Sequence, residues 1–414
     1  MSMNVTTRIQ LSTMMFLQFF IWGAWYTSVA VFMTERGMEN LTHWPYTVNP
    51  IAAIIAPFFL GLIADRFFAT EKVLGVLHLL GGIIMLFVPQ VSNSPSLFII
   101  MLLLYNICYM PTIGLSNSLA FHNIEDQEKD FPMIRVFGTI GWIIAGLVIS
   151  FILIGFVTDI PEKTPLPLYM AGVASILLGL FSFTLPHTPP PAAGEKVSIR
   201  SILGIDALKQ LGSRSFYIFL LGSFLICIPL AAYYNFTQIF LEVSGFEKIA
   251  GTQTLGQMSE VIFMLLMPLA FRRFGIKWML IIGMLAWMLR YALFAIAAPE
   301  AITWMILIGI VLHGICYDFF FVAGQIYVDT KATPAIRAQA QGLIVLVTYG
   351  LGLGIGAQII GWLFNRSVDL GEPVVQVQFQ QFWWIPAIFA GIVMVFFALL
   401  FVEKKKKIGH GTST

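Results

Sequence analysis

The sequence predicts an all-α membrane protein of twelve transmembrane helices in two six-helix, pseudo-symmetric halves, and three observations carry that prediction. The chain is 58% hydrophobic and 11% charged, with a mean hydropathy of +0.86. A soluble protein carries about 25% charged residues, so this chain has too few to cover itself in water. Polar breaks divide its 414 residues into apolar runs of about 20 residues, the length that crosses a bilayer. Two tetrapeptides recur in order about 200 residues apart. Asn106-Ile-Cys108-Tyr109 is echoed by Gly314-Ile-Cys316-Tyr317, and Pro132-Met-Ile-Arg135 by Pro334-Ala-Ile-Arg337. A long apolar chain of two same-direction halves is the signature of a carrier whose site lies between them.

The runs predict spans over residues 10–34, 46–65, 73–92, 96–121, 133–157, 166–186, 214–242, 252–272, 277–297, 302–328, 335–364 and 380–402. The first, apolar from Leu11 to Met33 after Arg8, is too long for a signal-peptide core and has no small-residue cleavage site after it, so it reads as a permanent span. The longest polar interruption, Pro186 to Ser215, holds His187, Pro189, Pro190, Pro191, Glu195, Lys196 and Arg200. It divides the chain into an N-terminal bundle (1–186), a cytoplasmic linker (187–213), a C-terminal bundle (214–402) and a basic cytoplasmic tail (403–414). Within the linker, residues 201–210 predict a short helix on the membrane surface.

Charge placement predicts orientation. With both termini cytoplasmic, the inner loops carry Arg66, Lys72, Lys129, Lys196, Arg200, Lys209, Arg214, Arg272, Arg273, Lys277, Lys331 and the run Lys404 to Lys407. The outer loops carry only Arg36, Lys163, Lys248 and Arg366, a strong positive-inside bias. Cys108, Cys227 and Cys316 each sit in an apolar run and read as small buried hydrophobes. A net charge of +2 gives no reason to expect nucleic acid. No Walker-type phosphate loop and no His-Glu-x-x-His occurs, and nothing pairs a nucleophile with a base. The sequence therefore predicts no enzyme, no catalytic residue, no metal and no cofactor.

Ionisable residues inside a bilayer are costly, which makes each a functional candidate. Glu260, Asp318 and Arg290 fall mid-span. The plain reading of Arg290 is an ion pair with one of the two acids that ties helices together. One cation cannot neutralise both, so Glu260 and Asp318 are candidates for proton coupling; a carboxyl in a partly dry cavity can exchange a proton near neutral pH. Other polar residues share helical faces: Gln18 with Trp22 and Trp25, Arg135 with Thr139 and Trp142, Asn235 with Gln238, Gln257 with Glu260, and His313 with Tyr317. Their plain reading is helix packing, and Arg135 and Arg337 read equally as anchors at helix starts. Together the set mixes aromatic plates, amides and carboxylates, which suits a ligand with a flat ring and several hydroxyls.

Two loops carry a further repeat. Gly61-Leu-Ile-Ala-Asp65-Arg66 follows the second span and Phe271-Arg272-Arg273-Phe274-Gly275-Ile-Lys277 follows the eighth. This acidic-basic turn resembles the cytoplasmic loop motif of the major facilitator superfamily, where it clamps neighbouring helices in one access state. The resemblance gives Asp65, Arg66, Arg272 and Arg273 a gating or structural role; the ion-pair reading gives Arg290 a structural one.

Further segments run along the whole chain: Phe16-Leu-Gln18-Phe with Trp22-Gly-Ala-Trp25, Tyr109-Met-Pro111-Thr112-Ile-Gly114-Leu-Ser-Asn117, Asp130-Phe-Pro132-Met-Ile-Arg135 with Gly138-Thr139-Ile-Gly141, Leu185-Pro-His187, Leu203-Gly-Ile-Asp206-Ala, Ser259-Glu260, Arg273-Phe-Gly275-Ile-Lys277, Asp318-Phe-Phe and Pro334-Ala-Ile-Arg337-Ala-Gln-Ala-Gln341-Gly342. By these the chain is similar, end to end, to the bacterial nucleoside:proton symporter branch of that superfamily. The resemblance implies proton-driven nucleoside import across the bacterial inner membrane by a carrier that works as a monomer. It implies substrate contacts at Arg135, Thr139, Trp142, Gln257, Glu260, Tyr317 and Asp318, with Glu260 and Asp318 serving ribose and proton. Trp22, Gln18, Asn235 and His313 complete the candidate set. The chain departs from the family at Ala231 and Tyr234, where amides are expected, at His313, where the family has Tyr, and at Trp142, where it has Phe. These departures leave open, as the alternative, a proton-coupled symporter or exporter of another small polar solute: a modified nucleoside, a nucleobase or a sugar-like compound.

Overall fold

In lipid every backbone polar group must be satisfied within its own segment, so long apolar runs fold as helices. The computed structural model describes residues 4–59, 68–125, 127–190, 200, 203–333, 336–372 and 375–402, and all the long elements among them are helical. The Gly61–Arg66 turn with Asp65 and Arg66, linker residues 191–199 and 201–202, Pro334 and the tail with Lys404 to Lys407 lie outside the described residues.

In chain order the helices are α1 (Val5–Glu35), α2 (Pro45–Phe59), α3 (Thr70–Val91), α4 (Pro95–His122), α5 (Asp130–Phe156), α6 (Leu166–Ser182) and α7 (Arg214–Val243). They continue with α8 (residues 249–274), α9 (276–297), α10 (Thr303–Lys331), α11 (Gln339–Ser367) and α12 (Val375–Leu400). Helices α8 and α9 follow one another with no loop. Gly275 alone breaks them, at φ 69° and ψ 170°, a conformation that only glycine adopts without strain. The short helix expected over 201–210 runs from Ile205 to Leu211, after Gly204 in the left-handed region.

One packing scheme occurs twice. Helix α1 packs on α5 and α6, α3 on α4 and α6, and α2 on α4. Six helices later α7 packs on α11 and α12, α9 on α10 and α12, and α8 on α10. Glycines permit the closest crossings at matching places: a Cβ on Gly141 of α5 would strike the Phe16 backbone of α1, and one on Gly356 of α11 would strike Ile228 of α7.

The halves also touch, and the contacts gather at the end where α1 finishes. Gln238 of α7 accepts from the Ala30 amide at 3.0 Å, and Gln253 of α8 donates to the Thr27 carbonyl at 3.2 Å. Gln358 donates to Thr47 at 2.8 Å, and Lys163 bridges Glu242 at 3.0 Å and Glu35 at 3.7 Å. Fully buried Glu162, in the loop after α5, accepts from the Ala250 amide at 2.8 Å at the start of α8.

Candidate functional site: a cavity between the halves

Below that sealed end lies a cavity of about 530 Å³, within the ~300–1,000 Å³ usual for small-molecule sites. The N-terminal half contributes Phe19, Trp22 and Tyr26 of α1, Met110 and Asn117 of α4, and Arg135, Thr139 and Trp142 of α5. The C-terminal half contributes Tyr234 of α7, Gln257 and Glu260 of α8, His313, Tyr317, Phe321 and Gln325 of α10, and Thr348 and Tyr349 of α11.

An aromatic collar drawn from both halves closes the cavity toward the sealed end. Trp22 meets Trp142 at 5.5 Å and Tyr349 at 6.1 Å, both edge-to-face, and Tyr26 meets Tyr234 at 5.6 Å. In each such contact one ring presents its edge to the face of another, which fixes the orientation of the planes around the cavity.

The polar groups come next. The Arg135 guanidinium lies 4.0 Å from the centre of the Phe19 ring, within electrostatic reach of Glu260 and Tyr317 on the far wall. No ion pair joins Arg135 to Glu260, so cation and acid face each other with space between them. Ser259 sets the register of that far wall. Its hydroxyl donates to Val311 O at 2.7 Å and accepts from the Gly314 amide at 3.0 Å, clamping α8 to α10. A Cβ on Gly314 would lie 2.5 Å from the Ser259 backbone, so the clamp needs glycine there. It brings Glu260, His313 and Tyr317 to one surface. Tyr317 begins a π-helical turn, Tyr317–Val322, of the kind often found at functional sites.

Eight of the eleven sequence candidates line the cavity: Trp22, Arg135, Thr139, Trp142, Gln257, Glu260, His313 and Tyr317. Three sit behind its wall. Gln18 is fully buried, donating to Thr112 at 2.8 Å and meeting His78 at 2.9 Å. Asn235 and Asp318 are fully buried with every side-chain polar atom unpartnered. Gln238, expected to share a working face with Asn235, belongs to the sealed end instead, where it also donates to Tyr46.

Two plain readings are corrected. Arg290 pairs with neither Glu260 nor Asp318; it donates to Gly309 O at 3.0 Å and stacks 4.1 Å from the Tyr233 ring centre. Arg135 and Arg337 are not matching anchors, because Arg337 pairs with Asp329 at 3.0 Å on the surface while Arg135 faces the cavity. Arg272 and Arg273 are exposed at the α8–α9 break.

Sequence reasoning missed Tyr26, Asn117, Gln325 and Tyr349. Tyr26 follows Trp22 at i+4 and that spacing could have found it. Tyr349 lies in a second π-helical run, Leu346–Gly352, where the 3.6-residue period no longer predicts the face.

Residues 3–406 match the family described as Nucleoside H+ symporter. The Escherichia coli (strain K12) protein YegT is 41% identical over 97% of this chain and 95% of its own length. The nucleoside permease NupG of the same organism is 31% identical over 98% of this chain and 99% of its own. The crystal structure of NupG superposes with a TM-score of 0.84 at 30% identity, covering 96% of this chain and 100% of that one. A D-xylose–proton symporter, at 16% identity and a TM-score of 0.75 over 97% of this chain and 99% of that one, shares the fold.

Proposed function

The chain belongs to the nucleoside–proton symporter family, with the major facilitator fold, and we propose a mechanism by which its central cavity couples nucleoside uptake to proton entry. The chain is a membrane transporter importing nucleosides with protons. The observation that carries the reading is Arg135 of one half facing Glu260 of the other across an aromatic-walled cavity without touching it.

A nucleoside supplies a flat base and a hydroxylated ribose. Trp22, Trp142 and Tyr317 offer planes for the base, and Arg135, Thr139, Gln257 and His313 offer hydrogen bonds at the rim of those planes. Glu260 accepts from ribose hydroxyls and takes up the symported proton. Asp318 sits one residue behind Tyr317 with both oxygens free, and serves as the second proton site. Gln18 and Asn235 shape the wall from behind. Each proton moving down about 100 mV contributes about 2.3 kcal/mol, a concentration ratio of roughly 50 for the co-transported solute.

Transport then requires the contacts at the sealed end to break while the two bundles, 1–186 and 214–402, rock about the bound solute, with 187–213 as the tether. The charge bias puts both termini, including the basic tail 403–414, in the cytoplasm of a bacterial cell, so the sealed end faces outward. The two halves of one chain bring cation, acid and aromatic planes together in that cavity, which is in keeping with a working monomer.

Uptake of labelled uridine and adenosine into proteoliposomes under an inward proton gradient tests this reading beside Glu260→Gln. Gradient-dependent uptake by the wild type, lost in the variant, is expected. Failure of folded wild type to accumulate either nucleoside would overturn the reading.

A further inference from the structure

Arg290 is fully buried in α9, yet no carboxylate pairs with it and both terminal nitrogens of its guanidinium lack partners. A buried charge is ordinarily held by a full set of hydrogen bonds or replaced by a hydrophobe, so one held this loosely is not explained by stability. Its two well-formed contacts point in one direction. Through Nε it bonds the Gly309 carbonyl, one helical turn before His313 on α10. Its guanidinium carbon lies over the Tyr233 ring, 4.1 Å from the ring centre. On the same stack Tyr233 lies against the His313 imidazole, with centroids 5.3 Å apart and planes 16° apart. His313 in turn lines the cavity, 5.8 Å from the Tyr317 ring and 6.4 Å from that of Tyr234. On its remaining side Gly256 leaves room: a Cβ there would sit 3.1 Å from that of His313.

We propose that Arg290 is a positioning residue of the substrate site, holding the His313 imidazole through Tyr233 in the orientation with which the cavity discriminates among bases. Guanidinium over phenol ring and phenol ring against imidazole form a chain of three contacting groups whose far end is the cavity wall. A planar cation fixes a ring lying flat beneath it more tightly than a point charge does. An imidazole fixed in plane can favour one arrangement of base donors and acceptors, whereas a ring free to rotate satisfies several. Arg290 touches no substrate, so its removal changes selectivity more than it changes transport as such. The inference rests on the nucleoside reading of the cavity.

The test is the ratio of uridine to adenosine affinities, measured by titration of purified protein, in wild type, Arg290→Met, His313→Phe and the double variant. The ratio is expected to move about tenfold toward unity in Arg290→Met, the factor of one lost hydrogen bond. Arg290→Lys gives an intermediate ratio. In the His313→Phe background Arg290→Met adds nothing, because the residue through which it acts is gone. Tyr233→Leu cuts the stack at its middle and reproduces the change, so the test survives should Arg290→Met fail to fold. A discriminating wild type whose ratio persists in Arg290→Met or, where that variant does not fold, in Tyr233→Leu, or a shift of equal size with His313 absent, would overturn the inference alone. A wild type that binds neither nucleoside would overturn the functional reading and this inference with it.

Discussion

The two halves share a packing scheme and both leave some buried polar atoms unpartnered, Trp25, His43, Tyr105 and Asn117 among them in the N-terminal half, but they differ around the cavity. In the N-terminal half His78 bonds Ser175 at 3.1 Å and Gln18 at 2.9 Å, Gln18 bonds Thr112, and the Tyr109 hydroxyl donates to the Gln18 carbonyl. Asn49 donates to Asn106 at 2.6 Å, and Asn106 donates to Leu102 O at 2.8 Å. In the C-terminal half Asp318 and Asn235 have no partners, and Arg290, Tyr233 and His313 each leave a polar atom bare. A satisfied polar network makes a rigid scaffold, while an unsatisfied buried group costs about 1–3 kcal/mol and more when charged. The network around Gln18 and His78 is therefore a satisfied one, whereas the buried ionisable groups Asp318 and Arg290 of the C-terminal half are not satisfied, and under the proposed mechanism substrate and proton would supply what is missing there.

The largest effect that would break this contrast concerns Asp318. By the register of the repeated tetrapeptide its counterpart in the other half is Met110. Asp318→Asn is expected to abolish gradient-driven accumulation while nucleoside exchange across a sealed bilayer survives. Met110→Leu, which conserves the volume of a side chain that also lines the cavity, is expected to keep accumulation dependent on the gradient. Equal losses in the two variants would erase the distinction between the halves.

A smaller effect is expected at His78. His78→Leu strips partners from Gln18 and Ser175, and is expected to destabilise the protein by about 1–3 kcal/mol. Thermal unfolding in detergent would register it, with nucleoside affinity nearly unchanged. A loss of affinity without a loss of stability would make the N-terminal network part of the binding machinery.

The smallest effect sharpens the comparison where the halves meet. Burial raises the pKa of Glu162 above the usual carboxylate range, against the lowering effect of the Ala250 amide that it accepts from. Opening the sealed end returns this carboxyl to water and to an ordinary pKa. The sealed form therefore binds the proton more tightly, and sealing strengthens as pH falls through the sealed-form value. Spin labels at residues 40 and 365, which flank the seal, are expected to report a larger closed fraction at acidic pH. Glu162→Gln is expected to flatten that dependence, and an unchanged pH profile in the variant would remove Glu162 from the seal's titration.

The sequence by itself determined the helices, their division into two repeated halves and the polar residues worth watching. Those follow from the cost of apolar surface in water and of unpaired backbone in lipid, both of which are local to each run. It also placed Glu260 with Gln257, and His313 with Tyr317, on common faces that do line the cavity. Only the tertiary structure decided what each face meets. Gln18 and Trp22 are one turn apart on α1, yet Trp22 reaches the cavity and Gln18 turns into the bundle. Arg290 was expected to find a carboxylate and found the Tyr233 ring. Tyr349 reaches the collar from a π-helical run, in which the 3.6-residue period does not assign its face. Helical period fixes which residues point together; whether they point at a neighbouring helix, at the opposite half or at the space between depends on packing among segments hundreds of residues apart.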